Sequence, residues 1–308
     1  MSVKRPKVAV VGSFMMDLVV KAERRPRVGE TLVGEEFGMF IGGKGTNQAI
    51  AAARLGAEVH MIGRLGQDQF GDIFIESLQK DNIHTDFIVR DTEVGTGVGT
   101  PVIDADGNNS IIIIPRANMR LTIANVEKAA SAIAEADVLL LQLEIPIESS
   151  KRAAEIAREN STAVILNPAP ACQIPNEFLE FVDYLTPNEI ETEMLTGVKV
   201  SDQSGTEQAA RILLDKGMSA VVLTLGSRGT LLLTENTTAS VPAHKVNVVD
   251  TTAAGDAFCG GFAFGLAQGQ KLTEAVRCGN AAGALAVTVM GAEPSMPTSE
   301  AVRELLNQ

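Results

Sequence analysis

The chain lacks the cysteine content and the long apolar runs that disulfide-stapled or membrane-spanning proteins need. Its 308 residues include three cysteines, too few and too scattered for a disulfide framework or a metal-binding cysteine cluster, namely Cys172, Cys259 and Cys278. No run is long enough to span a bilayer, and Asp17 interrupts the first apolar run early, with no signal-peptide cleavage site behind it. We therefore expect reduced core thiols and a cytoplasmic protein.

A basic surplus is also missing. The net charge is −12 at pH 7 and the acidic residues are spread along the chain, so nucleic acid and anionic membranes are disfavoured as partners. Internal repeats and low-complexity segments are absent from the sequence, and 308 residues can bury a large core in one large domain or two unequal ones. The composition is that of an ordinary globular protein, so its chemistry has to be sought in local motifs.

Two nucleotide-binding motifs are incomplete. The β-branched run Lys7–Val11 predicts a buried strand, but Phe14 stands where the dinucleotide pattern GxGxxG requires glycine. Residues 38–45 nearly match the P-loop GxxxxGK[ST], but Gly45 occupies the Ser/Thr position that would hold magnesium. A nicotinamide enzyme is therefore disfavoured, and the P-loop is rejected.

Strand-like and helix-like segments alternate along most of the chain. Predicted helices begin near residues 42, 70, 125, 147, 189, 254 and 272, and the helix near 125 is expected to run to 136. Predicted strands cover residues 7–11, 58–63, 138–143, 162–166, 184, 220–225 and 230–233. Such alternation predicts an α/β fold, a large domain with a mostly parallel central sheet wrapped by helices.

Two patches do not fit this alternation. Residues 18–40 and 95–115 are short β-prone pieces, and Asp106-Gly107-Asn108 is typical of a hairpin turn. We expect a small separate β-sheet, built from these two insertions and usable as a lid over a crevice.

Residues 248–258 predict a strand, a tight turn and a helix N-terminus. If the helix begins at Ala254, the free amides of Ala254, Gly255 and Asp256 form a seat for an anion. A carboxylate beside an anion is unfavourable unless it binds a metal or removes a proton, so Asp256 is a candidate general base. The alternative is that Asp256 only caps or charges the first helical turn.

Other candidate residues have equally ordinary alternatives. Asp17 and Glu144 each follow a predicted strand, which would place them at the ligand side of the sheet. The alternative is that Asp17 is a turn residue and Glu144 an ordinary exposed loop acid. Lys44 and Asn47 lie in the flexible loop 42–47 (GGKGTN) and suit hydroxyl recognition, unless the loop is only a structural turn.

The same holds for two motifs further along. Asn188 and Glu191 could order magnesium through water, or they form a helix-capping pair. Residues 226–229 (GSRG) suit the close approach of a nucleotide, or they form a plain hairpin turn.

Four segments, taken in order, resemble the ribokinase branch of the PfkB family of sugar kinases. These segments are residues 42–47, 142–144 (QLE), 187–191 (PNEIE) and 250–256 (DTTAAGD). The resemblance covers nearly the whole chain. It implies one kinase domain over residues 1–308, a lid at about 18–40 and 95–115, and a homodimer clasped through the lid. It also implies ATP, Mg²⁺ and a monovalent cation, K⁺, as cofactors, and D-ribose as the first-choice acceptor.

Site residues follow from the resemblance position by position. Asp256 corresponds to the catalytic base, and Ala254 and Gly255 correspond to the anion hole. The sugar-binding positions are Asp17, Gly43, Lys44, Asn47, Glu144 and Asp256. The nucleotide-binding positions are Asn188, Thr224, Gly226, Ser227, Gly229, Gly255 and Asn280. Glu191 joins Asn188 in the magnesium motif, and the K⁺ loop comprises Asp250, Thr252, Ala286, Val289, Gly291 and Ser295.

Two residues depart from the family pattern. Met15 replaces a sugar-contacting asparagine, and Arg116 replaces a glycine before Ala117-Asn118. The first change removes a hydroxyl partner, and the second makes an acidic or phosphorylated acceptor conceivable. The alternatives to ribose are another sugar, a sugar acid or a nucleoside, and a further alternative is a binding protein that has lost catalysis.

Overall fold

The computed structural model describes residues 5–106 and 109–308. In chain order, the strands are β1 (Lys7–Val11), β2 (Met15–Lys21), β3 (Glu36–Gly42), β4 (Glu58–Gly66), β5 (His84–Asp91), β6 (Gly97–Ile103), β7 (Asn109–Ile114), β8 (Val138–Leu141), β9 (Ala163–Leu166), β10 (Tyr184–Leu185), β11 (Ala220–Thr224), β12 (Thr230–Thr234) and β13 (Thr238–Val241).

The helices are α1 (Lys44–Leu55), α2 (Gln69–Lys80), α3 (Ile123–Lys128), α4 (Ala130–Ala134), α5 (Ile147–Glu159), α6 (Asn176–Leu179), α7 (Glu189–Thr196), α8 (Gln203–Leu214), α9 (Ala254–Ala267), α10 (Leu272–Ala286) and α11 (Ser299–Leu306). Short 3₁₀ helices cover Arg116–Arg120, Gly226–Arg228 and Glu293–Ser295. No helix in the described part of the chain is long and apolar enough to cross a membrane.

The large sheet has the strand order β13-β12-β11-β10-β9-β8-β1-β4-β5. Its strands pair in parallel from β11 to β5, whereas β12 and β13 pair antiparallel at one edge. Alternate residues of β1 face opposite sides, so that Val8 and Val10 enter one apolar core and Ala9 and Val11 enter the other. The first core is covered by α1, α2, α9, α10 and α11, and the second by α3, α4, α5 and α8. The predicted α/β sheet with helices on both faces is therefore confirmed.

The small sheet has the order β3-β2-β6-β7. β2 pairs antiparallel with β3 and parallel with β6, and β7 pairs antiparallel with β6. The predicted small sheet is confirmed, but it begins at Met15 and extends to Gly42, beyond both ends of the expected 18–40 segment. Of the predicted hairpin turn, Gly107 and Asn108 lie outside the described residues.

Several predicted boundaries were wrong. The helix expected over 125–136 is two short helices, α3 and α4, separated at Ala129. The strand expected over 138–143 ends at Leu141, because Leu143 already bonds to Ala169 in the following turn. Of the numbered strands and helices, five carried no prediction, and these are β5, β13, α6, α8 and α11.

Asp68 joins the large sheet region to the small sheet. Its carboxylate caps α2 by accepting from the Gly71 amide at 2.9 Å, and it also accepts from the Thr96 amide at 2.8 Å and the Thr96 hydroxyl at 2.7 Å. Thr96 directly precedes β6. The start of β6 is therefore fixed to the N-terminus of α2.

We predict that Asp68→Ala lowers the free energy of unfolding by about 2 to 4 kcal/mol, since it removes a cap and leaves two further donors without this acceptor. Asp202→Ala is the matched control, because the Asp202 carboxylate caps α8 through one hydrogen bond from the Gly205 amide, at 2.8 Å, and its loss should cost about 1 kcal/mol. Urea unfolding of both variants measures the difference. Equal losses would show that the Thr96 contacts contribute nothing.

Candidate active site

The polar residues of interest meet at the carboxyl edge of the large sheet. β1, β8, β9, β10 and β11 end there, and the segments that follow them carry Asp17, Glu144, Asn167, Asn188 and Gly226. Ligand crevices of open parallel sheets lie at this edge, because the connecting loops diverge there.

The N-terminus of α9 is open toward this crevice. Ala253 precedes the helix with φ 59° in the left-handed region, and no side chain caps this terminus among the described residues. The Ala254 amide makes a long contact, 3.4 Å, with the Thr251 carbonyl oxygen, and a Cβ placed on Gly255 would meet no atom within 4 Å. The first-turn amides therefore face free space, as an anion seat requires.

Asp256 does not cap α9. Its Oδ2 accepts from Asn47 Nδ2 at 2.9 Å, its Oδ1 accepts from Gln48 Nε2 at 3.0 Å, and the residue is only 6% exposed. Both donors lie on α1. The carboxylate is thus held beside the anion seat by two neutral amides, which orient it without neutralising its charge.

Gln48, Gln142 and Asn167 form a buried amide chain behind Asp256. Gln142 Nε2 donates to Gln48 Oε1 at 2.7 Å, and Gln48 Nε2 also reaches Asn167 Oδ1 at 3.3 Å. The role of Gln48 was not predicted, although this residue directly follows Asn47 in the sequence. An amide side chain directly after Asn47, in the first turns of an alanine-rich helix, was the available signal.

Asp17 lies within β2 and not in a turn, so the turn alternative is wrong. Its carboxylate sits between two glycines of the neighbouring strands: a Cβ on Gly42 would come within 2.4 Å of Oδ2, and one on Gly99 within 2.2 Å of Oδ1. Burial, together with the nearby charge of Glu144, raises the pKa of Asp17 to about 6.

Glu144 is not an ordinary exposed loop acid. Its Oε2 accepts from Ser13 Oγ at 2.5 Å and from the Lys44 amide at 3.0 Å, and the Ser13 hydroxyl in turn accepts from the Gly45 amide at 3.3 Å. Ser13 is a further residue that the sequence analysis did not assign to the site. Together these bonds fix the start of α1, preceded by Gly43 at φ 88°, against the end of β1.

The Lys44 ammonium lies among the carboxylates of the crevice. Burial alone favours its neutral amine, but the charges of Asp256, Glu144 and Glu191 outweigh burial and raise the pKa of Lys44. A positive charge is therefore held within electrostatic reach of Asp256, Glu144 and Glu191.

The two departures from the family pattern have different surroundings. Met15 is 3% exposed and lies two residues before Asp17 on the same face of β2, with its sulfur 3.9 Å from Asn118 Nδ2. Arg116 is exposed, adopts φ 48°, and donates to the Thr96 carbonyl oxygen at 3.2 Å. The positive φ explains why glycine suits this position. The contact of Arg116 with Thr96 gives no support to an acidic acceptor.

Asn188 and Glu191 form a capping box at the start of α7. Asn188 Oδ1 accepts from the Glu191 amide at 2.8 Å, and the Glu191 carboxylate accepts from the Asn188 amide and side-chain Nδ2, both at 2.9 Å. The capping interpretation is confirmed as local structure. Burial of Glu191 raises the pKa of its carboxyl, because the charged carboxylate loses hydration. A cation bound beside Glu191 would offset this loss.

The expected nucleotide positions adjoin this box. Asn188 bridges to Thr224, and the following Gly226–Arg228 turn connects the antiparallel strands β11 and β12, with φ 54° at Gly226 and 89° at Gly229. The hairpin interpretation is therefore confirmed as local structure. Asn280 is held by Thr230 Oγ1, which donates to its Oδ1 at 2.6 Å, and it donates to the carbonyl oxygens of Val241 and Pro242 at 3.2 Å.

A cavity of about 220 Å³ joins these parts. Its walls include Lys44, Asn188, Glu191, Thr224, Gly255 and Asp256. A second cavity, of about 430 Å³, lies near Leu55, Phe264 and Leu306, and no carboxylate of residues 5–106 or 109–308 lines it. The smaller cavity, lined by Lys44, Glu191 and Asp256, is therefore the candidate active site.

The two loops expected to bind a monovalent cation lie together. Asp250 Oδ2 accepts from the Gly291 amide at 2.9 Å, its Oδ1 accepts from Thr252 Oγ1 at 2.6 Å, and the Asp250 amide reaches the Val287 carbonyl oxygen. Val289 bonds to Ala286, and Ser295 Oγ to the Ala292 carbonyl oxygen at 2.8 Å. Carbonyl oxygens and a carboxylate so close together are a donor set that fits a hard cation.

Comparison with known proteins agrees with this geometry. Residues 5–299 match the pfkB family carbohydrate kinases. A ribokinase of Haemophilus influenzae is 39% identical over 302 residues, 98% of this chain and 99% of that protein. A deoxyribokinase of Salmonella typhi is 36% identical, covering 97% of this chain and 98% of that protein.

Among solved structures, Arabidopsis thaliana ribokinase complexed with ribose and ATP superposes with a TM-score of 0.93 at 34% identity, covering 99% of this chain and all (100%) of that one. The chain belongs to the pfkB family of carbohydrate kinases. It is a phosphotransferase that acts on a sugar hydroxyl.

The raised pKa of Asp17 predicts a stability change with pH. Because folded Asp17 binds its proton up to about pH 6, whereas the carboxyl has an ordinary value of 3.8, folding should lose stability as pH rises from about 4 to 6. In Asp17→Asn this loss is absent, so the variant should gain about 1 to 3 kcal/mol relative to wild type between pH 4 and 7.

Urea unfolding of both proteins at pH 4, 5.5 and 7 checks this expectation. Asp72→Asn is the control, since Asp72 is an exposed acid in the first turn of α2. A difference between Asp17→Asn and wild type that stays constant with pH would mean that Asp17 titrates normally.

Proposed function

We propose that the chain transfers the γ-phosphoryl group of ATP to a hydroxyl of D-ribose, giving D-ribose 5-phosphate, with Asp256 as general base. The observation that carries this proposal is the position of the Asp256 carboxylate, oriented by Asn47 and Gln48 beside the open first-turn amides of α9. The full-length likeness to ribokinases supports ribose as the acceptor.

The chemistry needs positioning and charge neutralisation more than covalent help. Asp256 takes the proton of the attacking hydroxyl, while the amides of Ala254 and Gly255 stabilise the negative charge that develops at the transferred group. Lys44 adds a fixed positive charge next to both. Bound Mg²⁺·ATP supplies the phosphoryl group and screens its charge.

On the acceptor side, we assign the sugar to Asp17, Gly43, Lys44, Asn47 and Glu144. Asp17 and Glu144 are acceptors for sugar hydroxyls, and Asn47 and Lys44 are donors. The support is their convergence. The Asn47 side chain donates to Asp256, the Lys44 backbone amide donates to Glu144, and the charge of Glu144 contributes to the raised pKa of Asp17.

On the donor side, we assign the nucleotide to Asn188, Thr224, Gly226, Ser227, Gly229, Gly255 and Asn280. Glu191 and Asn188 would hold Mg²⁺ through water, because a buried carboxylate offers hard oxygen to that ion. The loops of Asp250, Thr252, Ala286, Val289, Gly291 and Ser295 would hold K⁺. The Asn280 side chain is already hydrogen-bonded to Thr230 and to the carbonyl oxygen of Val241 at the end of β13. We therefore assign it a packing contact with the base of the nucleotide.

We further propose that the small sheet closes over the sugar and pairs two copies of the chain. The support is an outward row of exposed apolar side chains, among them Phe37 at 66% and Ile112 at 70% exposed. Patches of this kind mark interaction sites. A cytoplasmic location fits free cysteines, of which Cys259 and Cys278 are buried.

Replacement of Asp256 by Asn tests the base. Asn is nearly isosteric but cannot take the proton, so kcat for ribose phosphorylation should fall by about two orders of magnitude or more, with ATP affinity nearly unchanged. Asp72→Asn, an exposed first-turn acid of α2, is the matched control and should keep wild-type kcat. A near-normal kcat in Asp256→Asn would remove the base assignment, and release of ADP with no sugar phosphate would remove the kinase assignment.

Deoxyribose is a second candidate acceptor, favoured by Met15. The buried Met15 thioether lies on the same face of β2 as Asp17, at the position where the family pattern has an amide. An acceptor with one hydroxyl fewer would need no hydrogen-bond partner at this position. A deoxyribokinase among the full-length relatives supports this choice.

We predict that Met15→Asn raises the ratio of kcat/KM for ribose to kcat/KM for deoxyribose by roughly tenfold, the effect of one added hydrogen bond. The ratio is unaffected by any loss of folded protein. Met119→Asn, at an exposed methionine, is the control. An unchanged ratio in Met15→Asn would mean that this residue does not contact the part of the sugar in which the two acceptors differ.

A further inference from the structure

Glu58, His60 and His84 form a cluster of metal-ligand side chains at the edge of the large sheet opposite the active site. Glu58 and His60 are two residues apart on β4, so both side chains lie on the same face, and His60 pairs directly with His84 at the start of β5. The active-site residues follow the carboxyl ends of the strands, whereas this cluster lies at the amino ends of β4 and β5.

The three side chains are already close to one another. One ligand atom from each lies within 4.8 Å of the others, and His60 Nε2 is 3.7 Å from Glu58 Oε1. The two imidazole rings stack with centroids 4.3 Å apart and an angle of 13° between planes. A tetrahedral zinc ion with bonds of about 2.0 to 2.1 Å needs ligand atoms roughly 3.3 Å apart, so modest side-chain rotation would suffice.

His60 is the member that protein contacts leave incomplete. Its Nδ1 is buried and has no hydrogen-bond partner among the described residues, although buried ring nitrogens are normally paired. Burial and the neighbouring His84 lower the pKa of His60.

We propose that Glu58, His60 and His84 bind a divalent transition-metal ion, Zn²⁺ by preference, with two imidazoles, one carboxylate and water as ligands. Two nitrogens and one oxygen are a zinc-type donor set, whereas Mg²⁺ prefers oxygen alone. The ion would tie β5, the last strand at its end of the large sheet, to β4.

One positive charge competes with the ion. Lys7 Nζ lies 4.0 Å from Glu58 Oε1, but it is closer to Glu135 Oε2, at 3.3 Å. Glu135 can keep the ammonium when Glu58 turns to the metal. Removal of the Lys7 charge should therefore strengthen metal binding, because the repulsion between the two cations disappears.

The test is a zinc titration of the tag-free, EDTA-treated and desalted protein, by calorimetry and by competition with a chromophoric chelator. We expect one zinc ion per chain with a Kd of about 10 μM or tighter, about −7 kcal/mol by the standard conversion. His84→Gln should weaken binding by about 100-fold or more, since even outer partners of metal ligands contribute 10- to 100-fold. Glu58→Gln should also weaken it, and Lys7→Gln should strengthen it severalfold.

Two controls locate the ion. His244→Gln changes the one remaining histidine of the sequence and should leave the Kd unchanged. Cys172→Ser removes the exposed thiol and should also leave it unchanged. A wild-type Kd weaker than 100 μM, binding that survives in His84→Gln, or binding that is lost in Cys172→Ser would each overturn the proposal.

Discussion

The arrangement of the active site depends on holding several carboxylates close together at one edge of a sheet. The charges of Asp256, Glu144 and Glu191 all raise the pKa of Lys44, and burial, with the nearby charge of Glu144, raises the pKa of Asp17. Such a cluster opposes folding, because each buried charge loses its hydration. The large apolar sheet with its two cores supplies the stability that keeps these residues in place.

Neutral amides do much of the positioning within this cluster. Asn47 and Gln48 hold both oxygens of Asp256, and Gln142 and Asn167 in turn hold Gln48. A cation in place of Asn47 would pair with the carboxylate and reduce its basicity, whereas an amide orients it and leaves the charge available. Positive charge in the crevice comes instead from Lys44 and from the first-turn amides of α9, which face the position of an incoming anion.

Local sequence patterns predicted the parts of the fold that are determined locally. The glycines before α1 and the turn before α9 mark two helix starts, so Asp256 and Lys44 could be placed in advance. The strand predicted just before α9 was wrong, because the chain forms no strand between Val241 and Ala254. β5 escaped prediction because it is an edge strand whose residues are mostly half-buried and show no clear alternation. The division at Ala129 and the contact of Gln48 with Asp256 depend on packing between distant segments, which single-sequence periodicity does not contain.

The two halves of the crevice belong to different sheets. Met15 and Asp17 are carried by β2 of the small sheet, whereas Asp256 and the anion seat are carried by the helix that packs on the large one. Under the proposed assignments, the sugar contact of Asp17 is therefore carried by a different sheet from the residues of phosphoryl transfer, although Lys44, Asn47 and Glu144 contact the sugar from the large-sheet side. Mutations in β2, β3 or β6 can alter the sugar that fits while the residues of phosphoryl transfer stay intact. New acceptor specificities can therefore evolve in such a kinase without passing through an inactive intermediate.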